Sequence, residues 1–214
     1  MFRSIAFVML LAVASVAAFA DDWPQFLGPN RDAVSTERTT LKPWSADGPG
    51  VLWTRDMGPG FGGAAIADGQ VFVLDRIDDR GDALRVFDLK SGEQLWQYEY
   101  EAEGRLRYHG SRSTPTVTDE HIYTVGGFGD VHCIDRKTRK PVWHFNLASR
   151  YKFDRLKWGH AQSPLVVGEK LILSPTHADT PTLIAVNRHT GAVIWESANP
   201  NMQAGREADA KKGY

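Results

Sequence analysis

Three polar side chains stand in two segments of similar pattern and could together bind a small ligand. Arg112 lies in the segment 109–115, and His160 and Gln162 lie in the segment 158–164. An arginine can hold a carboxylate through two parallel hydrogen bonds, and a neutral histidine can donate or accept one. The alternative is that these side chains satisfy backbone groups where the loops cross. The spacing leaves both interpretations open.

Motifs of other chemistries are missing from the sequence. It contains no G-x-S-x-G, H-E-x-x-H or P-loop pattern, and we assign no catalytic residue. The seven histidines show no spacing typical of zinc sites, so no metal ligand is predicted. The acid-rich run 75–82 could suggest Ca²⁺, but we interpret it as a solvated hairpin turn that joins two strands of the first unit.

A repeated pattern predicts the elements that position these residues. The segments 86–96, 133–143 and 185–195 each end in tryptophan, at Trp96, Trp143 and Trp195, with spacings of 47 and 52 residues. Short strands with this period and one tryptophan per unit are typical of a β-propeller. We therefore predict an all-β propeller of four-stranded antiparallel blades, with three blades near 61–99, 113–147 and 162–197. In this fold the two polar segments would face the central axis.

Each unit is expected to form four strands in order. A hairpin opens each unit, at 65–73, 116–124 and 165–173, and third strands follow at 84–87, 131–134 and 183–186. The turn before the last strand reads Asp-x-x-Ser/Thr-Gly, where the glycine takes a left-handed conformation. Arg139 replaces this glycine in the second unit, so that turn is expected to differ. The three tryptophans are predicted to pack between neighbouring blades.

The regions before and after the units carry separate expectations. Residues 21–60 read as an irregular lead with a lone strand near Val51–Trp53, and the run 202–214 resembles the earlier loops between units. Three blades cannot close a ring, because propellers have about 4–8 of them. We therefore expect the N-terminal part of a seven- or eight-bladed protein.

The first twenty residues indicate an exported protein, and the overall charge argues against one class of ligand. Residues 1–20 combine Arg3, an apolar run and a small-residue site, which predicts a signal peptide cleaved after Ala20. The remaining chain has 24 basic and 26 acidic residues, which argues against nucleic-acid binding. The sequence contains no second long apolar run, so no membrane span is predicted. Cys133 is expected to be a small buried side chain, with a reactive thiol as the alternative.

The repeat resembles that of the pyrroloquinoline-quinone (PQQ) type propeller family, A-x-D-x-x-T-G-x-x-x-W. The third copy, with Ala185, Asn187, Thr190, Gly191 and Trp195, departs from it only at asparagine. The lead 22–31 is similar to the start of exported PQQ-binding-like propeller proteins. The resemblance covers the chain from about residue 22 onwards and implies a quinoprotein-type fold.

The resemblance implies two functions. One branch contains noncatalytic scaffolds, including the B subunit of the outer-membrane β-barrel assembly machine, which hold partners through inter-blade loops. The other contains PQQ-dependent alcohol and sugar dehydrogenases, which hold the quinone and Ca²⁺ on the axis. No residue supports PQQ or Ca²⁺ here, so we favour a scaffold without a cofactor that binds a cell-envelope protein through loops 99–107 and 149–157. A dehydrogenase and a glycan-binding propeller are the alternatives.

Overall fold

The computed structural model describes residues 21–37, 43–177 and 180–197. The expected signal peptide and the run 202–214 lie outside these residues. Within them, no helix is long and apolar enough to cross a membrane.

Twelve strands form three four-stranded antiparallel sheets in this part of the chain. The first sheet contains β1 (Ala65–Ala67), β2 (Gln70–Ile77), β3 (Gly81–Asp88) and β4 (Gln94–Glu101). The second contains β5 (Thr116–Val117), β6 (His121–Val125), β7 (Asp130–Asp135) and β8 (Pro141–Asn146), followed by the short helix α1 (Leu147–Tyr151). The third contains β9 (Leu165–Val167), β10 (Lys170–Leu173), β11 (Ile184–Asn187) and β12 (Val193–Glu196). Within each sheet, every strand pairs with the next in sequence, which confirms the predicted all-β architecture of four-stranded blades.

The repeated acidic or amide residue organises the turn before the last strand of each sheet. The Asp88 carboxylate accepts hydrogen bonds from the Ser91 backbone N–H at 2.7 Å and the Lys90 backbone N–H at 3.0 Å. The bonds from Ser91 hold the pKa of Asp88 below its usual value. Asp135 accepts from Thr138 at 2.6 Å, and the Asn187 side-chain oxygen accepts from Thr190 at 3.0 Å. In each of the three turns, a short Asp or Asn side chain thus accepts a hydrogen bond from the backbone N–H three residues later, as expected for such turns.

The turn with arginine in place of glycine keeps the geometry of the other two, so the expected difference is wrong. Arg139 has φ 61°, close to 68° for Gly92 and 70° for Gly191. Its N–H bonds the Asp135 carbonyl at 2.8 Å, as Gly191 bonds Asn187 at 2.8 Å. A register shift follows in all three sheets. The hydrogen bonds of the turn therefore impose the left-handed conformation even on a residue that disfavours it.

Apolar side chains fill the spaces between successive sheets, which we call the first seam (first and second sheets) and the second seam (second and third sheets). Side chains of β1–β3 meet Val117, Ile122 and Ile134 in the first seam. In the second seam, the buried groups of the second sheet meet Leu171 and Ile184. The sheets therefore stack face to face, which covers the apolar faces that a single sheet leaves open.

The lead pairs with the first sheet near its start but forms no separate strand at 51–53. Trp23 and Ile66 exchange two backbone hydrogen bonds, of 2.8 and 2.9 Å. Val51 and Leu52 are 80% and 86% exposed and have no neighbouring strand, so the ladder that defines a strand is lacking there. Trp53 nevertheless packs on the first sheet, where its indole N–H donates to the Leu89 carbonyl at 2.9 Å.

Candidate functional site

Arg112, the first predicted ligand residue, binds carbonyls of its own loop. Its guanidinium donates to the Gly110 carbonyl at 3.1 Å and to the Tyr108 carbonyl. It also lies 5.7 Å from the centre of the Phe61 ring. Partial burial lowers the pKa of Arg112 from its usual value. The guanidinium therefore supports the loop that enters the second sheet, as the alternative interpretation of this residue expects.

Gln162 is similarly engaged with the backbone. Its side-chain oxygen accepts from the Ser174 N–H at 2.6 Å, and its amide nitrogen donates to the Ser174 carbonyl. Both polar atoms of the amide therefore bond the backbone of Ser174, which follows β10. The side chain has no polar atom left without a partner.

His160 is buried and neutral. It is 2% exposed, and burial lowers the pKa of its imidazole to about 4. Its backbone N–H donates to the Gly127 carbonyl at 2.9 Å, and its Nδ1 has no hydrogen-bond partner among the described residues. The loops bring both His160 and Arg112 close to Gly127, because a Cβ added to this glycine would lie 3.7 Å from the Arg112 guanidinium. Gln162 points to a different strand end.

An exposed group of aromatic and basic side chains occupies the loops beside these residues. We call it the loop-face ledge and define it as Phe61, Arg107, Tyr108, Lys157 and Trp158. The rings of Tyr108 and Trp158 stack at 5.4 Å with 18° between their planes. The charged ends of Arg107 and Lys157 lie 5.2 and 5.4 Å from the Trp158 ring. Phe61 and Tyr108 are 64% and 57% exposed, so the ledge presents aromatic surface flanked by positive charge.

A buried ionic cluster lies in the acid-rich hairpin that the sequence suggested was solvated. Only residues 78–80 of that run are exposed. Arg76 and Asp82 face each other across β2 and β3, are 1% and 0% exposed, and form an ion pair at 3.2 Å. Asp75 is also buried and pairs with Arg85 at 2.8 Å. The expectation of a solvated turn is therefore wrong for the two carboxylates at its ends.

This cluster connects the first sheet to the loop that leads into the second. Ser111 donates to Asp82 at 2.8 Å, and Arg76 donates to the carbonyls of Ala102 and Gly104. Burial raises the pKa of Asp82, while the Arg76 charge and these bonds lower it. The signal that could have revealed the cluster is an arginine and an aspartate at paired strand positions, rather than the count of acidic residues.

Two of the repeated tryptophans contact a neighbouring sheet, and the third is partly exposed. Trp143 crosses the second seam, where its indole N–H donates to the Arg188 carbonyl at 3.0 Å and its ring lies against Gly191. Trp96 lies against the first-seam turn, with the Arg139 guanidinium 5.8 Å from its ring. Trp195 is 38% exposed on the third sheet. Trp143 and Trp96 thus each contact the turn of a neighbouring sheet, and a role of the three tryptophans in blade docking stays a prediction.

Cys133 is fully buried in the second seam. Its Sγ lies 3.8 Å from the Arg188 carbonyl, and burial raises the pKa of the thiol to about 12. The thiol is therefore protonated at neutral pH, which disfavours the reactive alternative.

The three stacked antiparallel sheets and their repeated turns define this part of the chain as a quinoprotein-type β-propeller. Comparison with protein families makes the assignment more specific. The family described as outer membrane protein assembly factor BamB matches residues 24–117 and 82–211, and the chain belongs to this family.

Individual relatives include quinoprotein alcohol dehydrogenases. The chain is 25% identical over 137 residues to quinoprotein alcohol dehydrogenase PedH of Pseudomonas putida, covering 62% of this chain and 20% of the relative. It is 28% identical over 114 residues to a quinoprotein ethanol dehydrogenase of Pseudomonas putida, covering 51% of this chain and 17% of the relative. The chain thus spans at most about a fifth of these curated proteins.

The fold also matches a solved structure. The quinohemoprotein alcohol dehydrogenase from Comamonas testosteroni superposes with a TM-score of 0.57 and 18% identity, covering 85% of this chain and 28% of that one. At this identity, the likeness concerns the fold alone.

Proposed function

We propose that this chain is part of an exported, noncatalytic propeller that binds another protein of the cell envelope. The observation that carries the proposal is the loop-face ledge, where the exposed Tyr108 ring stacks on the half-buried Trp158 and cations flank it on loops between blades. Family membership is consistent with this role, because the family is described by an assembly factor. Export to the periplasm or cell surface, by a signal peptide cleaved after Ala20, belongs to the same proposal.

The chemistry of the ledge favours an acidic partner segment that carries an apolar side chain. Arg107 and Lys157 place positive charge beside the Trp158 ring, on which the exposed Tyr108 ring stacks. Cations near an aromatic face attract carboxylates, and the rings provide the apolar contact. Aromatic and arginine side chains are also the residue types that most often dominate binding energy at protein interfaces.

A quinone-dependent dehydrogenase is the second candidate, favoured by the identities of 25% and 28% to quinoprotein alcohol dehydrogenases. The described residues do not fit an axial quinone site. The polar groups of Arg112 and Gln162 are engaged with backbone atoms, and His160 is only 2% exposed.

Site-specific photo-crosslinking in the full-length protein tests the scaffold proposal. A photoreactive amino acid in place of Tyr108 should capture one defined envelope protein. The charge reversals Arg107→Glu and Lys157→Glu should reduce that capture at least about tenfold, since they remove both cations beside the ring. As a matched control, Lys137→Glu with Lys140→Glu reverses two exposed charges at the turn after β7 and should leave capture unchanged.

Three outcomes would contradict the proposal. Equal capture by the ledge and control variants would show that the ledge does not select the partner. Capture of no protein, together with binding to a defined glycan, would favour the glycan-binding alternative. A saturable thermal shift with PQQ and Ca²⁺, at one quinone per chain, would favour the dehydrogenase.

A further inference from the structure

Two histidines and a glutamate from different sheets meet at the end of the second seam. Glu120 and His121 lie at the hairpin between β5 and β6, and His189 lies in the turn between β11 and β12. One ligand atom from each of the three lies within 4.8 Å of the others. The Glu120 carboxylate is 3.8 Å from His121 Nδ1 and 3.7 Å from His189 Nδ1. The histidines are 68 positions apart in sequence, so no spacing motif could indicate the cluster.

His121 supplies an independent sign that a ligand belongs here. The residue is 8% exposed, and its Nδ1 is buried without a hydrogen-bond partner among the described residues. Buried side-chain nitrogens are nearly always satisfied, because an unpaired one loses its hydration without compensation. This nitrogen is the atom of His121 that lies beside the Glu120 carboxylate.

His189 is held in the arrangement that metal-binding histidines commonly show. Its second nitrogen, Nε2, lies 2.9 Å from the Glu169 carboxylate of the third sheet. A carboxylate on the far nitrogen fixes the ring orientation and makes the near nitrogen a better ligand. Nδ1 of His189 is thereby directed toward Glu120 and His121.

We propose that Glu120, His121 and His189 bind a Zn²⁺ ion that joins the second and third sheets, with Glu169 positioning His189. Two imidazoles and one carboxylate form a common zinc ligand set, which leaves a fourth position for water or another ligand. A tetrahedral zinc ion with bonds of about 2.0–2.2 Å requires ligand atoms about 3.3–3.5 Å apart. The separations of 3.7 and 3.8 Å from Glu120 are close to this value, and the ligand atoms of the two histidines lie within 4.8 Å of each other, so the side chains have to draw closer to bind the ion.

The charges around the cluster allow a cation. The carboxylates of Glu120, Glu169 and Asp135 lie nearby and favour positive charge. Arg188 opposes it, but its guanidinium is directed to Glu169 at 3.5 Å.

The first seam shows what the same position looks like without ligands. In the aligned repeats, Gly69 and Gln70 stand where Glu120 and His121 do, and Lys137 stands where His189 does. None of these three residues offers a carboxylate or an imidazole. The repeat itself therefore does not require the cluster. Lysine, which the second unit has at the position of His189, is compatible with this turn.

Zinc titration of the full-length protein tests the site. We expect one Zn²⁺ per chain by isothermal titration calorimetry, and with Co²⁺ the visible absorption of a tetrahedral nitrogen–oxygen site. His189→Lys, which copies the corresponding turn of the second sheet, should weaken binding at least about 100-fold. Glu169→Gln should weaken it about 10–100-fold by loosening the ring of His189. His144→Gln alters an exposed histidine outside the cluster and should change nothing.

Two results would overturn the proposal: no zinc binding at micromolar concentration, or equal affinity in the wild type and the His189→Lys variant. Circular dichroism identifies a variant that fails to fold, and Glu120→Gln then provides a second removal of a ligand that leaves both histidines in place. Mg²⁺ and Ca²⁺ serve as negative controls, because two imidazoles suit neither ion. The result is independent of the loop-face ledge, which lies on other loops.

Discussion

The two seams share one repeat but differ in chemistry. The first seam contains buried charge and polar rings, with Asp82 bonded to Ser111 and the Tyr98 hydroxyl 3.1 Å from His132. The second seam is mainly apolar in its interior, where Leu171 and Ile184 pack against the second sheet. The residues that recur in every repeat therefore determine how the blades stack. The residues that differ between repeats determine which side chains are buried in each seam.

The largest expected effect comes from removing the buried carboxylate of the first seam. Asp82→Ala leaves the Arg76 guanidinium buried without its ion-pair partner, since the two groups are 0% and 1% exposed. Breaking such a pair costs about 3–5 kcal/mol of unfolding free energy. Urea denaturation of the full-length protein, followed by tryptophan fluorescence, measures the change.

Asp79→Ala is the matched control for this experiment. Asp79 lies in the same hairpin but is half exposed, and its contact with Arg105 is 3.9 Å long. Removing an exposed pair of this kind costs about 1 kcal/mol or less. If both variants lose the same small amount, the cluster does not stabilise the first seam.

The second prediction concerns pH and the histidine in the first seam. His132 stacks on Tyr100 at 3.9 Å and lies near His144, and burial together with the nearby His144 lowers its pKa to about 3. The unfolded chain takes up this proton near pH 6.5 whereas the folded chain does not, so stability falls as pH falls below 6.5. The loss at pH 4 is about 3 kcal/mol for a shift of this size.

His132→Ile should remove that part of the pH dependence. The repeat places Ile184 of the third sheet at the corresponding position, so the variant gives the first seam the apolar residue of the second. His160, whose pKa is lowered to about 4, is retained and leaves a smaller slope. Denaturation midpoints at pH 7, 5.5 and 4 provide the measurement, and parallel slopes in the two proteins would contradict the assignment.

Sequence patterns predicted the repeated parts of the molecule and missed what lies between repeats. The hairpins, the Asp and Asn turns and the tryptophans recur, so their local chemistry could be recognised three times. The Arg76–Asp82 pair and the His121–His189 cluster each occur once, and both depend on which strand positions face each other across a sheet or a seam. The hairpin register could have revealed the first contact, but no spacing motif encodes the second, because the loops between its two sheets vary in length from one blade to the next.

The ligand prediction failed to separate two uses of the same side chains. Arginine and glutamine can bind a ligand or the backbone, and their side-chain types are the same in both cases. Only the positions of the carbonyls of Gly110 and Ser174 decide between them for Arg112 and Gln162. Those positions follow from how the loops cross, which depends on the packing of entire sheets.

The smallest effect tests whether the two turns beneath the tryptophans are interchangeable. Gly191 has φ 70°, and an added Cβ would lie 2.9 Å from the Trp143 ring, so Gly191→Ala should cost about 2 kcal/mol. Arg139→Gly instead relieves a left-handed arginine but loses its contact with Trp96, for a net gain of about 0–1 kcal/mol. Opposite signs in urea denaturation would show that both turns favour glycine and that the first seam only tolerates arginine. A loss in both variants would mean that the Arg139 guanidinium holds the first seam together, and the repeat would then tolerate two distinct ways of docking a blade.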